Sequence, residues 1–250
     1  MESSSQARIA LLACSVFEKE IPLVIKHHGS LERVHTRFFE MGLHDQPDIL
    51  RQTLQDEIDA LDELDGIGAI VLAYGLCGCG TTGLHSKKHT LIIPRAHDCI
   101  TVFLGSKNRF SEHQSRCPGC MYYTPGWNRG RRVPGPDKLK AMRRELSPKF
   151  DAEDVDFLIE SEQQAWSMHD TATYIDLGTN DADDEAQYAE NCAQWLGWKF
   201  ERLQGDPGLL RDLLTGPWPE DRFQTILPGH QLAHSADLSV MKSLPHGAKS

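Results

Sequence analysis

The chain, 250 residues long, predicts an α/β protein with a mostly parallel sheet and helices on both faces, as one domain or as two Rossmann-like lobes. Two observations carry this expectation. Short apolar runs rich in β-branched residues, Arg8–Cys14, Ala69–Cys77 and Leu91–Cys99, read as fully buried strands. Between the first two, Leu50, Leu54, Ile58, Leu61 and Leu64 recur at helical spacing. Strand, helix and strand in that order imply a parallel pair joined by a right-handed crossover.

The elements follow in chain order. Residues 1–7 read as a disordered N-terminus, 8–232 as a single α/β domain and 233–250 as a disordered tail. After the first strand, Glu18–His28 and Leu31–Met41 are expected to be helical, with Gly29-Ser30 as the break and Pro22 tolerated in a first turn. The helix over Pro47–Leu64 stops at Asp65-Gly66, where the second strand begins. The next strand ends at His97-Asp98-Cys99, and Ile100–Leu104 opens a helix that Asp98 can N-cap. Residues 106–136 read as a long loop, the usual form of a lid. Helices over Pro136–Leu146 and Glu153–Trp166, a strand over Thr173–Leu177 and a helix over Ala182–Trp195 come next. A strand over Lys199–Leu203, a helix over Pro207–Leu214 and a strand over Phe223–Leu227 complete the pattern.

Composition excludes several classes. A chain that is 40% hydrophobic and 25% charged is ordinary for a globular protein. No apolar run approaches the roughly 18 residues a membrane span needs, and the N-terminus lacks a signal-peptide pattern, so a cytoplasmic protein without membrane association is expected. Seven cysteines, an odd count with several at strand ends, argue against a secreted disulfide framework. The net charge of −10 is uneven: residues 101–150 carry eleven Lys/Arg against Glu112, Asp137 and Glu145, whereas 151–198 carry thirteen Asp/Glu and no Lys or Arg. The two stretches are expected to neutralise each other; no nucleic-acid motif accompanies the basic one.

The chemistry-bearing residues sit at strand ends. If the strands are parallel neighbours, Cys14, Cys77, His97 and Cys99 converge on the edge where α/β proteins place their sites. Three sulfurs and an imidazole are a coordination set for Zn2+, or for iron or an Fe–S cluster; the competing reading is that the cysteines are small core residues. Cys99 falls in the first turn of its helix, where a thiolate is favoured, so Cys99 and Asp98 are the catalytic candidates, Asp98 as cap or proton carrier. A metal-free alternative uses Cys99 or Cys77 as nucleophile with His97 as base.

Gly78-x-Gly80-x-x-Gly83 has the letters of a dinucleotide fingerprint, but only about seven residues separate Gly83 from the next strand, too few for a crossover helix. Gly78 and Gly80 remain candidates for close backbone approach to a cofactor, with Arg95 and Arg116 as anchors for an anion. In the loop, Tyr122, Tyr123 and Trp127 are candidate pocket walls, and Arg129, Arg131 and Arg132 would attract an anionic substrate. Cys117-Pro-Gly-Cys120 has the spacing of a zinc knuckle or a redox pair, and Cys192 reads as packing.

Ala13-Cys14, Tyr74-Gly-Leu-Cys77-Gly, Ile93-Pro-Arg-Ala-His97-Asp98-Cys99-Ile and Tyr123-Thr-Pro-Gly-Trp127 together resemble domain-of-unknown-function family 1638. The later segments Leu203-Gln-Gly-Asp206, Leu213-Leu-Thr-Gly216-Pro-Trp218 and Leu227-Pro-Gly229 are similar to it too, so the likeness runs from about Arg8 to Leu232. The chain departs from that pattern at Cys79, where Asn is usual, and at Cys117 and Cys120. Such proteins are often encoded near corrinoid-dependent methyltransferase systems, so the resemblance implies one-carbon or methyl-group metabolism, with a corrinoid protein or methyltransferase as partner. The expectation is a zinc- or iron-dependent hydrolase or transferase acting on a small anionic or nitrogenous metabolite. The alternatives are a non-catalytic metal- or cofactor-binding accessory protein and a metal-free cysteine enzyme.

Overall fold

The protein is described here by a computed structural model covering residues 8–28 and 34–248. The chain divides into two compact units, one made of the residues up to Phe110 together with those from Asp206 onward, the other of Ser111–Gly205. Each unit carries its own mostly parallel sheet, consistent with the α/β expectation.

In the first unit, β1 (Arg8–Cys14), β2 (Val34–Phe39), β3 (Ile67–Ala73), β4 (Leu91–Pro94) and β8 (Phe223–Ile226) form one sheet in the order β2-β1-β3-β4-β8. All neighbours are parallel except β8, which runs antiparallel to β4. The runs that read as buried strands are so: Leu11, Ile70, Val71, Leu72, Leu91 and Ile93 have no exposed surface. Two helices precede β3, α1 (Glu20–His28) and α2 (Pro47–Asp62). The predicted spacing puts Leu50, Leu54, Ile58 and Leu61 inside and leaves Leu64 half-exposed beyond the helix end. After β4 come α3 (Cys99–Leu104) and, much later, α9 (Gly208–Thr215), which packs on β3 and β4.

The expected helix over Leu31–Met41 is replaced by a strand in its described part, and residues 31–33 lie outside the described residues. Val34–Phe39 is β2, an edge strand whose burial alternates and whose hydrogen bonds come from β1; the Gly29-Ser30 break and residues 1–7 lie outside the described residues. The connection from β3 to β4 has no helix, as the short spacing requires. It is fixed instead by buried Asp62, whose carboxylate accepts from Ser86 Oγ at 2.5 Å and from the Lys87 amide at 2.7 Å. The expected tail from 233 onward is also ordered through most of its length: β9 (His230–His234) and β10 (Met241–Pro245) form an antiparallel hairpin, with Val240 and Met241 buried. Buried apolar side chains, absent from a true tail, account for it.

The second unit carries a three-stranded parallel sheet, β5 (Cys120–Tyr123), β6 (Thr171–Asp176) and β7 (Lys199–Gln204), in that order. Residues 106–136 are therefore not a loop. They hold α4 (Lys107–Arg116), β5 and α5 (Pro125–Arg129), each short, and α4 mostly polar. Next come α6 (Pro136–Leu146) and α7 (Ala152–Ala165); α8 (Ala182–Leu196) packs on β6 and β7. Tyr123, Val133, Ala172, Tyr174, Ala186, Ala189, Cys192 and Ala193 make the core of this unit. The basic and acidic stretches meet within it, as Lys138 pairs with Glu162 and Arg143 with Asp156. Among the described residues, no helix is long and apolar enough to cross a membrane.

Candidate functional site

The strand order of the first unit reverses direction between β1 and β3: β2 lies on one side of that pair and β4 on the other. In open α/β sheets the crevice outside the strand C-termini at such a switch point is where ligands bind. Cys14 is the last residue of β1, and Tyr74 follows directly on β3. The registers Ala13↔Ala73 and Leu12↔Leu72 place these two C-terminal ends side by side.

Beyond Tyr74 the backbone turns through a loop that neither a helix nor a strand could make. Cys77, Gly78 and Cys79 all have left-handed conformations, with φ of 47°, 63° and 67°. For the two cysteines this conformation costs about 1–2 kcal/mol each, so surrounding contacts must hold it. They do so from two sides. On one side, Arg51 of α2 donates to the carbonyls of Thr82 at 2.6 Å and Cys79 at 3.1 Å. On the other, the Leu76 and Cys77 amides donate to the carbonyls of Ala96 and His97, both at 3.0 Å. The His97-Asp98-Cys99 segment thus lies backbone against backbone beside the Cys77 turn.

Asp98 is the N-cap of α3, its Oδ1 accepting from the Thr101 amide at 3.0 Å, and Cys99 is the first helical residue. Cys77 is surrounded electrostatically by Cys14 and Asp98, and burial pushes its thiol pKa up to about 12. Burial first, then nearby Cys14 and Cys77, hold the Tyr74 phenol well above its usual range. The Tyr74 hydroxyl is buried without a hydrogen-bond partner among the described residues. Motif reasoning passed over Tyr74, although it stands at the head of the Tyr74-Gly-Leu-Cys77 segment. Cys14, Tyr74, Cys77, Asp98 and Cys99 are the candidate side chains around this edge, whereas His97 is exposed and meets the turn through its carbonyl. Among the described residues, no three His, Cys, Asp or Glu side chains come together in a group that could hold a metal ion. Cys14, Cys77 and Cys99 are donors of the kind that a soft metal takes.

The family model described as "Protein of unknown function (DUF1638)" matches residues 38–214, more than half of the chain. The chain belongs to this family. No curated protein and no solved structure matches it.

Within the DUF1638 match lie Tyr74, Cys77, His97, Asp98 and Cys99, whereas Cys14 precedes it. The other candidates that the sequence singled out in this DUF1638 chain are placed elsewhere. Gly80 is a packing glycine: a Cβ there would meet Leu50 Cδ2 at 2.8 Å, while Gly78 faces open space but for Pro47. Arg95 does not anchor an anion. Its guanidinium donates to the carbonyls of Glu220 at 2.5 Å, Ser239 at 2.9 Å and Met241 at 2.6 Å, and to Gln224 Oε1 at 2.9 Å. Tyr123 is a core residue whose hydroxyl donates to the Pro134 carbonyl at 2.7 Å. Trp127 packs against the same core, Tyr122 bonds His113, Arg116 pairs with Glu201, and Arg129 ends α5 half-buried. Arg131 stacks over the Tyr188 ring, and Cys192 is packed, as expected. These aromatic and basic residues form no lid because their segment is built into the second unit's sheet and helices.

Proposed function

We propose that the switch point of the first unit is a thiol-rich site that takes one soft metal ion, zinc before iron, and presents it to a small polar metabolite. The observation that carries this reading is the placement of Cys14 at the end of β1 and of Cys77 in the turn after β3, the two strands that flank the switch point, with Asp98 and Cys99 on the segment bonded to that turn. Cys14, Cys77 and Cys99 would hold the ion through their sulfurs, with Asp98 left as the cap of α3. Bound there, such an ion supplies Lewis-acid activation of a substrate oxygen, nitrogen or thiol.

The residues of the chain divide the remaining work. The Tyr74 hydroxyl, buried and unpartnered among the described residues, is available to bond a substrate's polar atom. Asp98 keeps α3 in place through Oδ1, so its loop stays fixed beside the turn. The apolar floor of Ala13, Leu72 and Ala73 excludes water from below. A metal-free mechanism with Cys77 as nucleophile has less support, because burial raises its thiol and His97, the base it would need, is exposed.

The test is metal content of anaerobically purified protein, measured with its visible spectrum before and after incubation with zinc and dialysis. About one zinc per chain in colourless protein is expected, falling by more than half in Cys14→Ser and Cys77→Ser; brown protein assigns the site to iron. Wild-type protein that retains no metal, or serine variants that retain all of it, would refute the reading.

A further inference from the structure

The second unit contains a thiol centre with no part in the site above. Cys117-Pro118-Gly119-Cys120 closes a tight turn, the Cys120 amide donating to the Cys117 carbonyl at 3.1 Å. Such a turn keeps its end Cα atoms within about 7 Å, and a disulfide bridges Cα atoms roughly 4.4–6.8 Å apart. Besides burial, the neighbouring Cys117 thiol contributes to holding the Cys120 thiol above its ordinary range. Cys117 is half-buried just past the end of α4, whereas Cys120 is buried at the start of β5. A small disulfide therefore meets Cys117 first.

Beside Cys120 stands the buried imidazole of His113. Its Nε2 lies 2.9 Å from Glu201 Oε2, and its Nδ1 lies 2.8 Å from the Tyr122 hydroxyl and 3.8 Å from Cys120 Sγ. A carboxylate only accepts, so in the neutral ring Nε2 carries the hydrogen and Nδ1 keeps a single lone pair. That lone pair faces the Tyr122 hydroxyl, with the Cys120 thiol, which also lies 3.9 Å from Gln114 Oε1, next nearest. Glu201 is itself fixed, by Arg116 Nη2 at 2.7 Å and Thr173 Oγ1 at 3.3 Å. Thiol, imidazole and carboxylate stand in the order that activates a cysteine.

We infer that Cys117 and Cys120 are a redox-active dithiol that exchanges with low-molecular-weight disulfides, with His113 taking the proton of Cys120. The Cys117 thiolate attacks one sulfur of the small disulfide, RSSR; that S–S bond breaks, and RS− leaves and takes up the proton that Cys117 released. Cys120 then passes its proton to His113 Nδ1, and its sulfur attacks Cys117, displacing the second RS−, which leaves as RSH with that proton. The sum is RSSR plus two protein thiols giving two RSH and one Cys117–Cys120 disulfide, two electrons passing to the small molecule. Burial holds the Cys120 thiol above its ordinary pKa, which is why the second step needs the imidazole.

The experiment equilibrates the full chain with reduced and oxidised glutathione in varied ratio, blocks free thiols by alkylation and maps the peptides by mass. Cys117 and Cys120 are expected to lose alkylation together and to regain it with dithiothreitol. Cys120→Ser should stop at glutathione bound to Cys117, and Cys117→Ser should leave Cys120 unmodified. His113→Gln should slow ring closure about tenfold and leave the final oxidised fraction unchanged. Wild-type protein whose two thiols stay independently alkylatable across the series, or that keeps glutathione on Cys117 without closing the ring, overturns the dithiol. Ring closure at the wild-type rate in His113→Gln overturns the role of the imidazole.

Discussion

The amide of Cys77 donates to the carbonyl of His97 at 3.0 Å, locking the left-handed turn after β3 to the segment after β4. Gly75 is what lets the two backbones come so close. A Cβ there would fall 2.6 Å from the Asp98 amide nitrogen, and 2.8 Å from both the Ala96 carbonyl oxygen and Asp98 Cα. All three are backbone atoms, which cannot swing aside as a side chain end can. Gly75→Ala is therefore expected to destabilise the protein by about 1–3 kcal/mol in chemical denaturation and to lower metal uptake with it. A variant as stable as wild type would show that the two segments separate freely.

Tyr74→Phe should do the opposite to stability. Its hydroxyl is buried without a partner among the described residues, and such a group costs folding free energy. Removing it is expected to raise stability by about 1 kcal/mol, while substrate or metal binding at the switch point falls. This division, more stable but less active, marks a group retained for its chemistry. A loss of stability in the variant would mean that the hydroxyl is satisfied in the folded protein.

What the sequence discloses depends on how local the physics is. The buried strands of the first unit were legible because a continuous apolar run leaves no solvated face. So was the Asp98 cap, since the cap and the amide it binds are three residues apart. Val34–Phe39 was misread because a six-residue alternation on an edge strand is weak beside the apolar residues around it. Helix α4 was hidden in an expected loop, since His113 is its one buried residue and no apolar stripe announces it. The partners of Arg95 lie 125 to 146 residues further along, and no spacing rule reaches that far. For the same reason the orphaned hydroxyl of Tyr74 emerged only with the packing around it.

Alkaline stability should be set in part by the second unit. Burial keeps the Tyr123 phenol well above its usual range, with Cys192 and Tyr188 adding to the rise, and pushes neighbouring Tyr188 up to about 12. In the unfolded chain both ionise near 10. The unfolded state then releases protons that the folded state keeps, so stability is intact below about pH 10 and falls above it, for Tyr123 by about 1.4 kcal/mol per pH unit. Denaturation midpoints at about pH 9, 10 and 11, one unit apart across the usual tyrosine range, check this. Tyr123→Phe should cost about 1 kcal/mol at neutral pH, through the lost bond to Pro134, and flatten the alkaline decline. An equally steep decline in that variant would place its cause elsewhere.

Arg95 makes the last prediction, because it has exchanged the expected anchoring role for a structural one. Its guanidinium binds the carbonyls of Glu220, Ser239 and Met241 and the side chain of Gln224, joining the end of β4 to β8 and to the start of β10. Three of these four acceptors are main-chain oxygens at distinct angles, a pattern suited to the planar fork of arginine and not to the single ammonium of lysine. Arg95→Ala is expected to destabilise the first unit by about 2–3 kcal/mol and to speed amide exchange across residues 239–245. Arg95→Lys should recover less than half of that loss. Metal binding at the switch point should survive in both variants wherever they remain folded, since no switch-point side chain bonds the guanidinium. Loss of binding in a folded Arg95→Lys protein would return this arginine to the site.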